Sequence, residues 1–333
     1  MYSIMPHPWT NVQLVLNSRD ATGGAKQQSV AGLVLYNNLT FNAENQNIIQ
    51  GQIHSVQVSE VSFPYDIPNI QLNRTDRFTM SSPAGMPGPT VSLDIVVAPG
   101  FYDGPALVTA VNAAILAAGA AVPAPDGPFT PAEMPTLAYD ANSNIFTFLA
   151  PATPTAGYES WEFFSLFTYP QGLALPANPG LGKDILSLMG FQRSQSNNAS
   201  VSNAPPAPVE NFVAGGSAPL TFTQYVDICS PQLCKFQYFR DGSTTNLSRR
   251  SDVICRLFVE NSVALPLPVE GTTPFAILRQ FYNARVMRWT SDNSIGTMDI
   301  QLYDDTGQPL QITWVPRPYQ ITFNVFEMDK EER

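Results

Sequence analysis

Thirty prolines punctuate this 333-residue chain, and the runs between them are short and rich in Val, Ile, Phe and Tyr. Proline fixes its own φ, lacks a backbone N–H and clashes with the preceding turn, so it breaks helices and is barred from central strands. A chain interrupted this often is restricted to short strands joined by long loops, with room for few helices. Its aromatic and β-branched content is too high for a disordered chain. At this length roughly 75% of the unfolded surface can be buried, so a core can form without disulfides or metals.

The runs themselves alternate. Segments 12–16 and 30–41 read as strands, and Ile53 to Phe63 is more informative. Val56 and Val58 share one face while Val61 and Phe63 fall on the other, the phase switching near Ser59-Glu60. A one-residue slip of this kind is the signature of a β-bulge. Later strands are expected at Thr223 to Ile228, Val253 to Glu260, Phe281 to Trp289, Gly296 to Tyr303 and Tyr319 to Glu327. One helix stands out, in GFYDGPALVTAVNAAILAAGA: Asp103 or Gly104 can cap it, Pro105 suits its first turn, Leu107, Val111, Ile115 and Ala118 make one apolar stripe, and Gly119 is expected to stop it. TLAYDANSNIFTFLA predicts a hairpin, WEFFSLFTY a strand and KDILSLMGF a short helix closed by Gly190. Short strands without βαβ alternation indicate an all-β sandwich or jelly roll, with residues 91–192 set into it as a β-α-β-β excursion.

Charge narrows the function. Only 13% of residues are charged, against about 25% in an ordinary soluble protein, and the balance is −10. Neutral amides and hydroxyls are cheaper than ions to bury against another subunit, which favours assembly. A net-acidic chain without a basic cluster longer than Arg249-Arg250 is a poor nucleic-acid binder. No run of about 20 apolar residues is present, so no membrane span is expected. Three cysteines, Cys229, Cys234 and Cys255, with no leader-like N-terminus, suggest reduced thiols.

Catalytic signatures are weak. Only His7 and His54 could serve a nucleophile, and the spacing Cys229 to Cys234 lacks the second pair of a zinc knuckle. Asp305-Thr306-Gly307 matches the aspartic-protease triplet, but it follows MDIQLYD and precedes QPLQITW, so a hairpin turn accounts for it. The aromatic group Trp161, Phe163, Phe164, Phe167 and Tyr169 could face a sugar or a base, though core or subunit interface is the ordinary reading. No catalytic residue, cofactor or metal site is assigned.

The succession FPYDIPNIQLNRTDRF, VAPGFYDGPALVTAVNAAI, LAYDANSNIFTF and DILSLMGF resembles the penton and minor capsid (vertex) proteins of large eukaryotic DNA viruses and virophages. YVDICSPQL, VICRLFVEN, MDIQLYDDTGQPL and PYQITFNVFE extend the resemblance over most of residues 50–327. The family's Leu-Gly-Phe-like closure is Leu188-Met189-Gly190-Phe191 here. The resemblance implies a single jelly-roll sandwich with an inserted subdomain, five copies of which close the vertex of an icosahedral dsDNA virus. The expected division is an N-terminal arm at 1–11, a jelly roll at 12–90 and 218–327, an insert at 91–192, a linker at 193–217 and a charged tail at 328–333. Tyr2, Ile4 and Trp9 are the expected anchors if the arm lies along a neighbour, simple disorder being the alternative. The implied partners are the chain itself as a homopentamer, the major capsid protein and other minor capsid proteins, with room for a host receptor. The implied location is the virion capsid, assembled in the host cytoplasm. A cement protein between capsomers and a receptor-binding fibre-type module are the rival readings, and a β-sandwich hydrolase is the rival from another class.

Overall fold

The computed structural model describes residues 10–25, 29–30, 33–34, 38–42, 52–64, 67–72, 74–82, 91–124, 126–154, 158–164, 184–191, 199–203, 208–220, 223–234, 252–259, 276–288, 296–305, 307–312 and 318–328. The chain enters with β1 (Thr10–Asn17), β2 (Gly23–Ala25), the short pair β3 (Ser29–Val30) and β4 (Leu33–Val34), then β5 (Asn38–Asn42) and the long β6 (Gln52–Pro64). An insert follows: β7 (Arg77–Ser81), β8 (Ser92–Val96), α1 (Gly104–Ala120), β9 (Thr136–Asp140), β10 (Ile145–Leu149), β11 (Ser160–Phe164), α2 (Ile185–Leu188), β12 (Ala199–Ser202) and β13 (Phe212–Val213). The chain returns with β14 (Tyr225–Cys229), β15 (Val253–Phe258), β16 (Ala276–Gln280), β17 (Val286–Arg288), β18 (Thr297–Asp304) and β19 (Gln320–Met328).

The strands outside the insert make two larger antiparallel sheets, β1-β19-β6-β16 with β17 also on β6, and β15-β14-β18-β5-β2, besides the small antiparallel pair β3-β4. The three-residue β2 extends the second sheet beyond β5; leaving out β2 and the β3-β4 pair, and counting β16 and β17 as one position on β6, eight strands remain in chain order. The first sheet then holds strands 1-8-3-6 and the second 2-7-4-5. That double Greek-key order is the connectivity of a jelly roll. Alternation explains the interior: Ile321, Phe323 and Val325 from β19 and Met298, Ile300 and Leu302 from β18 are all fully buried in one cluster with Leu39, Val226, Ile228 and Leu257.

The phase switch in β6 is a bulge. Thr322 faces Glu60 and Phe323 faces Val58, so Ser59 is left over. The extra residue keeps Val56, Val58, Val61 and Phe63 all in the core, which a regular strand cannot do. Ser59 Oγ donates to the Thr322 carbonyl at 3.1 Å, and its own carbonyl accepts from Phe281 N at 2.9 Å. The same irregularity splits the strand on the other side. β16 pairs with 60–64 and β17 with 55–57, so of the strand expected from Phe281 to Trp289 only Val286–Arg288 is strand among the described residues, and β16 precedes that span.

The insert, Pro68–Phe222, is a compact unit of its own. It contains the sheets β12-β11-β7-β8 and β13-β10-β9, and α1 packs on β8 and β9. Asp103 caps α1, its carboxylate accepting from Ala106 N at 2.8 Å, and Leu107, Val111 and Ile115 form its buried stripe. Gly119 does not stop the helix, which runs to Ala120. Gly119 is buried, and a Cβ there would stand 3.0 Å from the Met134 side chain, so its smallness serves packing.

The unit's limits also differ from the sequence reading. β7, assigned by sequence to the jelly roll, pairs with β8 and β11 inside the insert. The tract 193–217, read as linker, contributes β12, with Val201 opposite Trp161, and β13, with Phe212 opposite Phe148. Few apolar residues lie there, but Val201 is fully buried and Ala214 nearly so. Tertiary pairing overrides a loop-like composition. The insert therefore contains more than a β-α-β-β unit.

Candidate functional site

The sequence candidates for chemistry are placed as structural groups. Cys229 and Cys234 are buried, Cys255 is half-buried, and none is in a disulfide. Burial pushes the Cys234 and Cys255 thiols up from their ordinary value, and neighbouring Cys229 adds to the effect at Cys255. A thiol held neutral is a poor nucleophile and a poor metal ligand. Among the described residues no three His, Cys, Asp or Glu side chains converge to hold a metal ion, and no helix is long and apolar enough to cross a membrane. His54 lies on β6, but its side chain, like all of His7, is outside the described residues.

Asp305 and Gly307 sit in the connection after β18. Asp304 and Gln308 exchange hydrogen bonds, Gly307 N donates to the Asp304 carbonyl at 2.9 Å, and Gly307 takes φ 76°. Asp305 Oδ2 accepts from Gln224 N at 3.1 Å. This carboxylate braces a turn. In the aromatic group, Trp161 and Phe163 are buried in the insert core. Phe163 stacks on Phe148 with centroids 4.1 Å apart, Phe148 on Phe191 at 5.2 Å and Phe191 on Phe212 at 4.6 Å. Trp161 and Phe163 are thus core residues without an open face for a sugar or a base, while Phe164 is half-buried. Phe167 and Tyr169 lie outside the described residues, as do Tyr2, Ile4 and Trp9.

Two polar constellations had no clear sequence signal. The first lies in FPYDIPNIQLNRTDRF, where Asn69, Gln71, Arg74, Thr75 and Asp76 are all buried. Asn69 Nδ2 donates to the carbonyls of Tyr102 (2.7 Å) and Leu220 (3.0 Å), while its Oδ1 accepts from Tyr102 N (3.0 Å). One amide thus ties the start of the insert to its end and to the turn before α1. Thr75 Oγ1 donates to the Asn69 carbonyl at 2.9 Å and accepts from Gln71 N at 2.7 Å, and Arg74 donates to Gln71 Oε1 at 2.9 Å. Arg77 reaches both oxygens of Asp76 at 3.3 Å. These groups satisfy one another, which is what burial demands of polar side chains.

The second lies on the outer face of the second jelly-roll sheet. Arg256 clamps Asp227 across β14 and β15 with bonds of 2.6 and 2.9 Å, and its guanidinium sits 3.9 Å over the Tyr225 ring. Asp227 holds the Arg256 charge firmly, raising its pKa, while burial raises that of Tyr225. Exposed Phe258 packs edge-on against Tyr225 at 5.8 Å. Aromatic residues and arginine are the side chains enriched at protein interfaces.

No family model matches this chain, and no curated protein matches it. Among solved structures, the crystal structure of SeMet-labelled mavirus penton protein is similar, at 12% identity and a TM-score of 0.46, over 95% of this chain and 100% of that one. A chain in the cryo-EM structure of the Sputnik virophage is similar at 14% identity and a TM-score of 0.41, over 96% of this chain and 98% of that one.

Proposed function

We propose that this chain is a structural capsid protein, the penton-type subunit of which five copies close an icosahedral vertex. The carrying observation is the jelly roll whose interior, among the described residues, is apolar: side chains from both sheets meet in one cluster. Jelly rolls also occur in lectins and cupins. A cupin-like reading requires a polar interior site, and this interior is occupied by Leu39, Val58, Phe63, Ile300 and Phe323. A wall-building role uses instead the flanks, and low charge lets those flanks be covered by copies of the same chain. The segments resembling vertex proteins include the buried polar knot at 69–76 and the α1 entry, the parts that hold the insert together. The partners on this reading are the chain itself, the major capsid protein and minor capsid proteins, in particles assembled in the host cytoplasm.

Imaging of intact particles with an antibody or gold label on this chain tests the proposal. Label confined to fivefold vertices is expected. Label spread between capsomers assigns a cement role, and absence from the particle overturns the reading.

A further inference from the structure

We propose that copies of this chain join edge to edge through the sheet β1-β19-β6-β16, the outer side of β1 on one copy pairing with the outer side of β16 and β17 on the next. This rests on the vertex reading and names the two surfaces of its ring.

The two edges of this sheet have unpaired outer sides among the described residues. Soluble proteins normally blunt such edges with charge, proline, a bulge or sheer shortness, because an open edge templates pairing with another chain. β1 uses none of these. It is eight residues long, TNVQLVLN, with no charge and no proline, in regular register with β19 along its whole length. Val12 is exposed and Val15 is 51% exposed. Across the sheet, Leu278 is 60% and Tyr282 90% exposed, and Val286 is exposed too.

Charge selects a second copy as the occupant. A chain of net charge −10 repels its own kind unless contact is made where acids are missing. β1, β16 and β17 carry no Asp or Glu of their own; β1 carries Gln13 and Asn17, and β16 and β17 carry Arg279 and Arg288. An edge bearing arginines and an edge bearing neutral amides do not repel each other, as two acidic surfaces would.

Strand direction fits as well. The four strands alternate, so β1 and β16 run opposite ways. A copy generated by rotation about an axis along the strands keeps its directions, and its β16 therefore meets β1 antiparallel, the more stable ladder. The edges are different surfaces, so the contact is heterologous and can close a ring. A β1-to-β1 contact would be isologous and stop at a dimer.

The full chain is tested with V15K, L278E and the double variant V15K/L278E, by native mass spectrometry and sedimentation velocity, with circular dichroism as the fold check. Both positions are exposed, and Q13K replaces V15K if the latter does not fold. Each single variant is expected to raise the concentration at which the oligomer dissociates by at least tenfold, and the double variant, which sets opposite charges across the contact, to restore it. Oligomers that survive both single variants, or a double variant no better than the singles, overturn the edge contact while leaving the vertex reading standing. Weakening by V15K alone assigns β1 to a twofold contact and overturns the pairing with β16. An oligomer that is not fivefold yet shows the full loss-and-rescue pattern supports the edge contact and overturns the vertex reading. A wild type monomeric at every concentration overturns the edge contact, and the particle imaging then decides the vertex reading alone.

Discussion

Deleting Ser59 should destabilise the jelly roll far more than any substitution at that position. The residue is the extra member of the bulge, with β19 holding register on both sides of it. Without it the strand becomes regular, and one of its two halves must turn its side chains outward. If the half facing 320–322 turns, Val61 and Phe63 leave the core; if the other turns, Val56 and Val58 leave it. Exposing two such side chains costs about 3–6 kcal/mol, at 1.5–3 kcal/mol each. The hydrogen bond from Phe281 N is lost as well. S59A is the control: it keeps the register and removes only the bond from Ser59 Oγ to the Thr322 carbonyl, about 1 kcal/mol. Urea denaturation followed by tryptophan fluorescence and far-UV circular dichroism measures both. A typical domain holds only about 5–15 kcal/mol, so the deletion is expected to remove a large share of the stability and move the unfolding midpoint to much lower urea. A deletion variant within about 1 kcal/mol of S59A would refute the claim that this bulge sets which residues face the core.

Other substitutions probe the insert. N69A removes the acceptor for Tyr102 N and the donor to two carbonyls, so a loss of about 2–5 kcal/mol is expected in denaturant melts, with the 100–103 turn losing hydrogen-exchange protection. G190A forces a side chain into φ 85° with its Cβ 2.4 Å from the Gly216 carbonyl oxygen, and a thermal melt should register about 1–3 kcal/mol of destabilisation. Asp94 is about half exposed, and partial desolvation raises its carboxyl's pKa, opposed by Arg77 and aided by Asp76. A raised folded value means the proton is held more tightly in the fold, so the contribution is fully present below the unfolded pKa and is lost as pH rises through the folded one. D94N should therefore melt slightly higher than wild type at pH 7, and the gap should close as pH falls below the ordinary carboxylate range; a lower melting point at pH 7 would count against the desolvation account. Maleimide labelling of Cys229 and Cys234 should be slow in the native protein and complete in denaturant, since both are buried.

What could be read from the sequence was what is encoded locally. The bulge at Ser59 shows as a switch of parity within eleven residues, and α1 shows as a 3.6-residue stripe behind a capping Asp. The turn at 140–144 is likewise local: the Asp140 carboxylate accepts from Asn142 N and Ser143 Oγ, which lowers its pKa, while Asn144 takes φ 55°. Partners far apart in the chain were not legible. Arg256 finds Asp227 only because β14 and β15 pair, and Asn69 finds Leu220 across 151 residues. Nothing in either residue's neighbourhood announces the other.

The domain boundary failed for a related reason. RFTMS at β7 looks no different from a jelly-roll strand, because period-two alternation reports that one face is buried and not which core buries it. Phe78 and Met80 enter the insert core, whereas Val61 and Phe63, fifteen to nineteen residues earlier, enter the jelly-roll core. The switch occurs in the Pro-containing stretch between β6 and β7, and there the signal is polar. Asn69, Gln71, Thr75 and Asp76 are buried with their bonds made internally, where a solvated loop would leave them to water. A cluster of amides, hydroxyls and paired ions between two apolar strands thus marks where a chain leaves one core and founds another. The entry must satisfy its own backbone before any sheet is available to do so.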